Sequence, residues 1–293
     1  MIVNGRDILA RAMPRSDTLY IESDVKEFIS RLPNLSTSPP TVHLAMLCVR
    51  SKKVKELLGY KLSDLVVERD IIRALMHSGG VELSVGETES NWRDRYFAKV
   101  HNLAILQHYG RYDVKTEKKS IPIIPKEAMG ILVTLSPRNV YNATAMVMKD
   151  NVTYMLSRDE SSDIALTMEN SRFFGALHKS KAKGTHYVTV DVDTLDIDVF
   201  KKVLDETSSY KKFIVTETSG GFHIVLDLCK PEDAASWHGE RGGQQRLGLL
   251  FPPIVVDGKN KNIIEFQTDG QEPIPGSLYS KKGGIHHFVR IIE

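Results

Sequence analysis

The chain has 293 residues, of which 41% are hydrophobic and 26% charged, enough apolar material for the core of one or two domains. A formal net charge of +2 excludes a nucleic-acid partner held by bulk positive charge, so any such partner must meet a local patch. Cys48 and Cys229 are the only cysteines, which excludes a disulfide scaffold and a four-cysteine zinc module; no zinc is expected, and the setting expected is intracellular and soluble. The opening Met1 to Arg6 lacks the apolar core of a signal peptide. No apolar stretch approaches the ~20 residues of a membrane helix, so no membrane partner is expected.

The first part of the chain, residues 1–115, reads as a mainly helical accessory region. Pro39 and Pro40 precede a helix predicted over 41–58, where apolar residues recur at helical spacing and a lysine-rich turn ends at Gly59. Further helices are predicted over 60–76 and 91–108. Arg93, Arg95, Lys99 and His101 beside Trp92, Tyr96 and Phe97 suit either a nucleic-acid face or the two faces of one amphipathic helix. Residues 120–125 read as a connector. From there the texture alternates, and residues 116–293 are expected to form a second domain. Strands are predicted over 130–135, 187–193, 213–218, 222–228, 262–268 and 287–292, with helices from Pro137 to Met148 and from Ile197 to Leu204. Asp196 or Asp198 suits the cap of the latter. Ser219-Gly-Gly221 between two strands is a hairpin signal. The fold class expected is α+β, a palm built on one open antiparallel sheet.

Asp191-Val-Asp193 closes an apolar strand, and strand alternation sends both carboxylates to one face. Paired acids repel unless a cation or proton lies between them, and hard divalent metals take oxygen ligands. The pair points to metal-dependent phosphate chemistry, although a solvated loop end gives the same pattern. Downstream, His223 leaves the apolar strand face formed by Phe222, Ile224 and Leu226, and the preceding Gly220 and Gly221 allow close backbone approach. That pattern suits a phosphate grip or a hairpin with a surface histidine. Asp269 ends a further strand that also carries Glu265, and either supplies a third acid. The segment from Pro273 to Gly283 is a turn-rich loop with Ser277, Lys281 and Lys282, suited to a triphosphate or a nucleic-acid backbone.

In order and context these segments resemble the archaeo-eukaryotic primase superfamily, which includes primase–polymerases of phages, plasmids and viruses. The resemblance covers roughly residues 128–293. Asp191 and Asp193 match the family's DxD strand, Ser219-Gly-Gly-Phe-His223 its nucleotide-gripping histidine motif, and Asp269 or Glu265 its third acid. Ile274-Pro-Gly-Ser-Leu278 with Lys281 matches its proline-glycine loop, and Leu135-Ser-Pro-Arg-Asn139 resembles an N-P-R segment seen in several members. The chain departs from the family where Glu272 and Pro273 stand in place of a basic residue before that loop. The resemblance implies an RRM-like palm and template-directed nucleotidyl transfer. Asp191, Asp193 and Asp269, with Glu265 as the competing third acid, would hold two Mg²⁺ or Mn²⁺ ions. Ser219, Gly220, Gly221, His223, Ser277, Lys281, Lys282 and Arg138 would contact an NTP or dNTP. A single-stranded DNA or RNA template and a separate helicase or replication protein are the implied partners. The rival readings are a polymerase-β-like or glycosyltransferase-like DxD enzyme and an inactive nucleic-acid-binding module. The first rival expects a Gly-Ser turn ahead of the acids, where this chain has Phe174-Gly-Ala176.

Overall fold

The computed structural model describes residues 18–36, 38–59, 65–73, 92–110, 114–116, 119–121, 124–157, 169–256, 259–268, 270–282 and 285–292. It is a mixed α and β structure with antiparallel sheets. Helix α1 (Glu22–Arg31) leads into strand β1 (Thr41–Val49), all nine of whose residues are buried. Even-numbered Val42, Leu44, Met46 and Cys48 pack into one core, while odd-numbered Ala45, Leu47 and Val49 pack into another. A strand covered on both faces reads as a continuous apolar run, which periodicity does not separate from a buried helix. The helix expected over 41–58 is therefore corrected: the segment is β1 followed by a short helix α2 (Ser51–Leu58), closed by Gly59 at φ 71°. The helix expected over 60–76 is corrected in the same way, because Leu65–Arg73 is strand β2, paired antiparallel with β1. Helix α3 (Trp92–Tyr109) is where it was expected. It buries Trp92, Tyr96, Val100 and Leu103 against the protein.

A hairpin of β3 (Val114–Thr116) and β4 (Lys119–Ile121) occupies part of the expected connector. Strands β5 (Met129–Thr134) and β6 (Arg138–Asn139) then pair with β1, and helices α4 (Val140–Ser157) and α5 (Glu169–Lys179) follow. The second half runs β7 (Tyr187–Val192), α6 (Ile197–Glu206), β8 (Lys212–Glu217), β9 (Phe222–Asp227), α7 (Pro231–His238) and α8 (Gly243–Leu250). It ends in a hairpin of β10 (Ile254–Val256) and β11 (Lys259–Lys261), then β12 (Ile264–Thr268), β13 (Gln271–Pro273), β14 (Leu278–Lys282), β15 (Ile285–Phe288) and β16 (Arg290–Ile291). Asp196 caps α6, its Oδ1 accepting from the backbone N–H groups of Asp198 at 2.9 Å and Val199 at 3.4 Å.

Two sheets result. The first has the order β13-β5-β1-β2 with β6 also on β1, and the second the order β12-β7-β9-β8-β16. Helices α4 and α5 cover the outer face of the first sheet through Ala143, Val147, Ala176 and Leu177. Helices α6, α7 and α8 cover the outer face of the second through Phe200, Trp237 and Leu247. Between the sheets lies a shared core, where Ala45, Leu47, Ile131 and Val133 meet Tyr187, Phe213, Ile214 and Val225, joined by Val25 and Phe28 of α1. Residues of the region 1–115 thus supply strands β1 and β2 of the first sheet, which they share with β5, β6 and β13 from later in the chain. Among the described residues, no helix is long and apolar enough to cross a membrane.

Candidate active site between the two sheets

The inner face of the second sheet turns from apolar to polar at one end. On β7, Val188, Val190 and Val192 enter the outer core, so Tyr187, Thr189 and Asp191 face the first sheet. On β9 the same alternation sends Phe222, Ile224 and Leu226 outward and leaves His223 inside, directly opposite Asp191. On β12, Ile264 and Phe266 pack outward and Glu265 stands opposite Asp191 on the other side. Asp191 is therefore flanked in register by Glu265 and His223. Asp193 follows just past the strand end, its backbone N–H donating to Ile263 O at 2.8 Å and its carboxylate 4.0 Å from Lys261 Nζ.

The hairpin glycines have a structural task here. A Cβ on Gly221 would lie 1.8 Å from the Val192 carbonyl oxygen, so only glycine lets the β8–β9 turn close against the end of β7. The Thr218 hydroxyl donates to Gly221 O at 3.3 Å and tightens the turn, with Ser219 and exposed Gly220 at its tip.

The first sheet completes the site. Glu272 on β13 is 4% exposed, and its carboxylate accepts from His223 Nδ1 at 2.9 Å and from the Thr189 hydroxyl. His223 Nε2 lies 3.4 Å from Asp191 Oδ1, so the imidazole is held between two carboxylates from different sheets. Arg50, just past β1, stacks its guanidinium 3.6 Å from the Tyr279 ring centroid and donates through Nη1 to Tyr279 O at 2.9 Å. Burial pushes the Asp191 carboxyl up; His223 pulls it down, and Asp193, Glu272 and Glu265 push it up, leaving it above its ordinary value. Burial opposes charge on His223, but Glu272 and Asp191 outweigh it and hold the imidazole above its ordinary value. Burial likewise raises the Tyr279 phenol, against the pull of Arg50.

Asp191, Asp193, Glu265 and His223 thus come together as the sequence led one to expect, with the Ser219-Gly-Gly221 turn beside them. Asp269 lies outside the described residues, as do the side chains of Lys281 and Lys282. Two further residues are engaged within the fold. Ser277 is fully buried and its hydroxyl donates to Ile274 O at 2.7 Å, so it braces the loop around Gly276 rather than facing a ligand. Arg138 is 3% exposed and donates to His178 O at 2.9 Å, within the packing of β6 and α5. The histidine is also not a surface residue, since it is 9% exposed. Sequence reasoning missed Arg50, Tyr279 and Glu272. Glu272 stood out only as a departure from a family pattern, and its place as the partner of His223 depends on β13 joining the other sheet.

Among the described residues, no group of three or more His, Cys, Asp or Glu side chains is placed so that it could hold a metal ion. In comparisons with known proteins, no family model, no curated protein and no solved structure matches this chain.

Proposed function

We propose that the chain is a divalent-metal-dependent nucleotidyltransferase of primase–polymerase type, which adds NTPs or dNTPs to a 3′-hydroxyl on a single-stranded template. The observation that carries this reading is the clustering of Asp191, Asp193 and Glu265 at one end of a sheet face with His223 beside them. The donor set suits a hard cation such as Mg²⁺ or Mn²⁺: it offers oxygens only, and Asp193 and Glu265 raise the proton affinity of Asp191. Asp191, Asp193 and Glu265 would hold the metal, with Asp269 the other candidate for the third carboxylate. When bound, a divalent ion there supplies positive charge against the triphosphate and the attacking hydroxyl.

The chain's own groups do the positioning. Glu272 accepts the Nδ1 proton of His223 and fixes the ring, which leaves the Nε2 proton, now near Asp191, as a donor to a phosphate oxygen. Arg50, held flat on Tyr279, adds fixed positive charge to the same cleft and acts on His223 electrostatically. In-line displacement of pyrophosphate by a hydroxyl depends mainly on such positioning and charge stabilisation.

The test is incorporation of labelled nucleotides on single-stranded DNA or RNA with Mn²⁺. Wild type is expected to extend, and Asp191→Ala or Asp193→Ala, folded by circular dichroism, to show none. Synthesis by a folded double alanine variant overturns the assignment. Failure of wild type both to incorporate and to bind nucleotide favours an inactive nucleic-acid-binding module.

A further inference from the structure

At the opposite end of β7 from the acids, His186 precedes the strand and His238 ends helix α7. Their rings meet head to head, with Nε2 to Nε2 at 3.1 Å, centroids 5.4 Å apart and planes at 57°. Each outer nitrogen has a defined partner. Gln244 Oε1 lies 3.1 Å from His238 Nδ1, and an amide oxygen only accepts, so Nδ1 carries the hydrogen and the His238 Nε2 lone pair faces His186. Lys181 Nζ lies 3.4 Å from His186 Nδ1, and an ammonium only donates, so His186 carries its hydrogen on Nε2 and donates to His238. One proton thus bridges two imidazole nitrogens at a solvent-accessible position.

We propose that His186 and His238 form a binding site for a divalent transition-metal cation, Zn²⁺ being the chemical type, in which the metal replaces the bridging proton. Three observations support it. First, two imidazole nitrogens on one tetrahedral ion at ~2.0–2.1 Å stand about 3.3–3.4 Å apart, so the pair opens by only a few tenths of an ångström to accept it. Second, the Nδ1–H of His238 is already donated to Gln244, the outer arrangement that fixes a ligating histidine's tautomer and raises its basicity. Third, His238 is exposed and borders an open cavity of about 610 Å³ that it lines with Glu240, Gln244 and Gln245, so water or a ligand group can complete the coordination. Binding requires His186 to move its hydrogen to Nδ1, which costs the Lys181 contact and no net charge on the ring. Imidazole selects Zn²⁺, Cu²⁺ and Ni²⁺ over Mg²⁺, Ca²⁺ and Mn²⁺. The site is therefore chemically distinct from the acid cluster, five residues further along β7 and roughly 16 Å away at ~3.3 Å per residue. Its metal would pin the end of α7 to the start of β7, and the inference stands independently of the activity proposed above.

The experiment is Zn²⁺ titration by calorimetry of tag-free protein in excess Mg²⁺, together with Cu²⁺ electron paramagnetic resonance. Wild type is expected to take up one Zn²⁺ that both His186→Ala and His238→Ala lose and Asp191→Asn keeps. Cu²⁺ is expected to show hyperfine structure from two nitrogens in wild type and not in either histidine variant. Gln244→Leu, which leaves both ligands in place, is expected to weaken Zn²⁺ binding roughly 10–100-fold. It keeps the test decisive if a histidine variant misfolds. No Zn²⁺ uptake by wild type, uptake unchanged in a folded histidine variant, or loss in Asp191→Asn overturns the proposal.

Discussion

Replacing Glu272 by glutamine removes the charge that holds His223 while keeping volume and one acceptor. The Gln Oε1 can accept from only one of His223 Nδ1 and the Thr189 hydroxyl, where the carboxylate accepts from both, and whichever bond to His223 remains is no longer ionic. A hydrogen bond to a charged group contributes about 1.5–3 kcal/mol, and stripping one partner from a buried ion pair costs about 3–5 kcal/mol. His223 has a way out of the larger cost, because it can release its proton and still has Asp191 at 3.4 Å. The expected loss is therefore about 2–3 kcal/mol, and it depends on pH in a defined direction. In the wild type the His223 proton is held more tightly folded than unfolded, so the stability it contributes is fully present below the unfolded pKa of about 6.5. That contribution drains away as pH rises through the higher folded value. Urea denaturation in metal-free buffer at pH 6 and pH 9 is the assay. The gap between wild type and Glu272→Gln should be largest at pH 6 and shrink clearly at pH 9. An equal gap at both values, or no gap at pH 6, refutes the idea that the Glu272–His223 pair is ionic.

Glu265→Gln is expected to lower Mn²⁺-dependent extension roughly tenfold or more, while changing unfolding free energy by less than about 0.5 kcal/mol, because the side chain is exposed and stands opposite Asp191. Primer extension and urea denaturation on the same preparation check both halves. Gly221→Ala sets a methyl against the Val192 carbonyl oxygen, and should cost about 1–3 kcal/mol or more by overpacking while displacing the end of β7 and abolishing extension. Thermal unfolding that matches wild type would contradict it. His43, buried against Trp92 and Tyr96, is held neutral down to about pH 4 by burial, whereas the unfolded chain takes its proton near pH 6.5. Wild type should therefore lose about 3 kcal/mol more than His43→Phe as pH falls from 6.5 to 4, measured by urea denaturation across that range.

The second sheet was legible because its strands are covered by helices on one face and polar at the site end on the other. The alternation of Val188, Val190 and Val192 against Thr189 and Asp191 survives in the sequence, as does the glycine turn before His223. The first sheet was legible only at β5, where a strand is expected over 130–135. Its central strand is buried on both sides, so Thr41–Val49 shows no alternation to read, and its neighbours β5 and β13 come from distant parts of the chain. The same cause hid the completed site. His223, Asp191 and Glu265 lie on adjacent strands of one sheet, whereas Glu272 and Arg50 reach them only because β13 and β1 meet across β5. Local pattern carries no record of such pairings. Arg138 and Ser277 show the converse: a motif offers them to a ligand, while in the fold Arg138 donates to His178 O and Ser277 to Ile274 O, contacts that local sequence does not record.

The placement of β13 has a further consequence, for the order of events during synthesis. β1 is made before β5, with only β2 as a nearby partner, and its apolar run from Leu44 to Val49 stays uncovered on the β5 side until β5 is made. The edge of β5 then stays bare until Gln271–Pro273 appears, far later in the sequence. Contacts of such sequence separation form slowly, and unpaired strand edges invite association with other chains. A chain shortened before residue 271 leaves that edge of β5 unpaired and is expected to aggregate rather than to give a smaller folded protein.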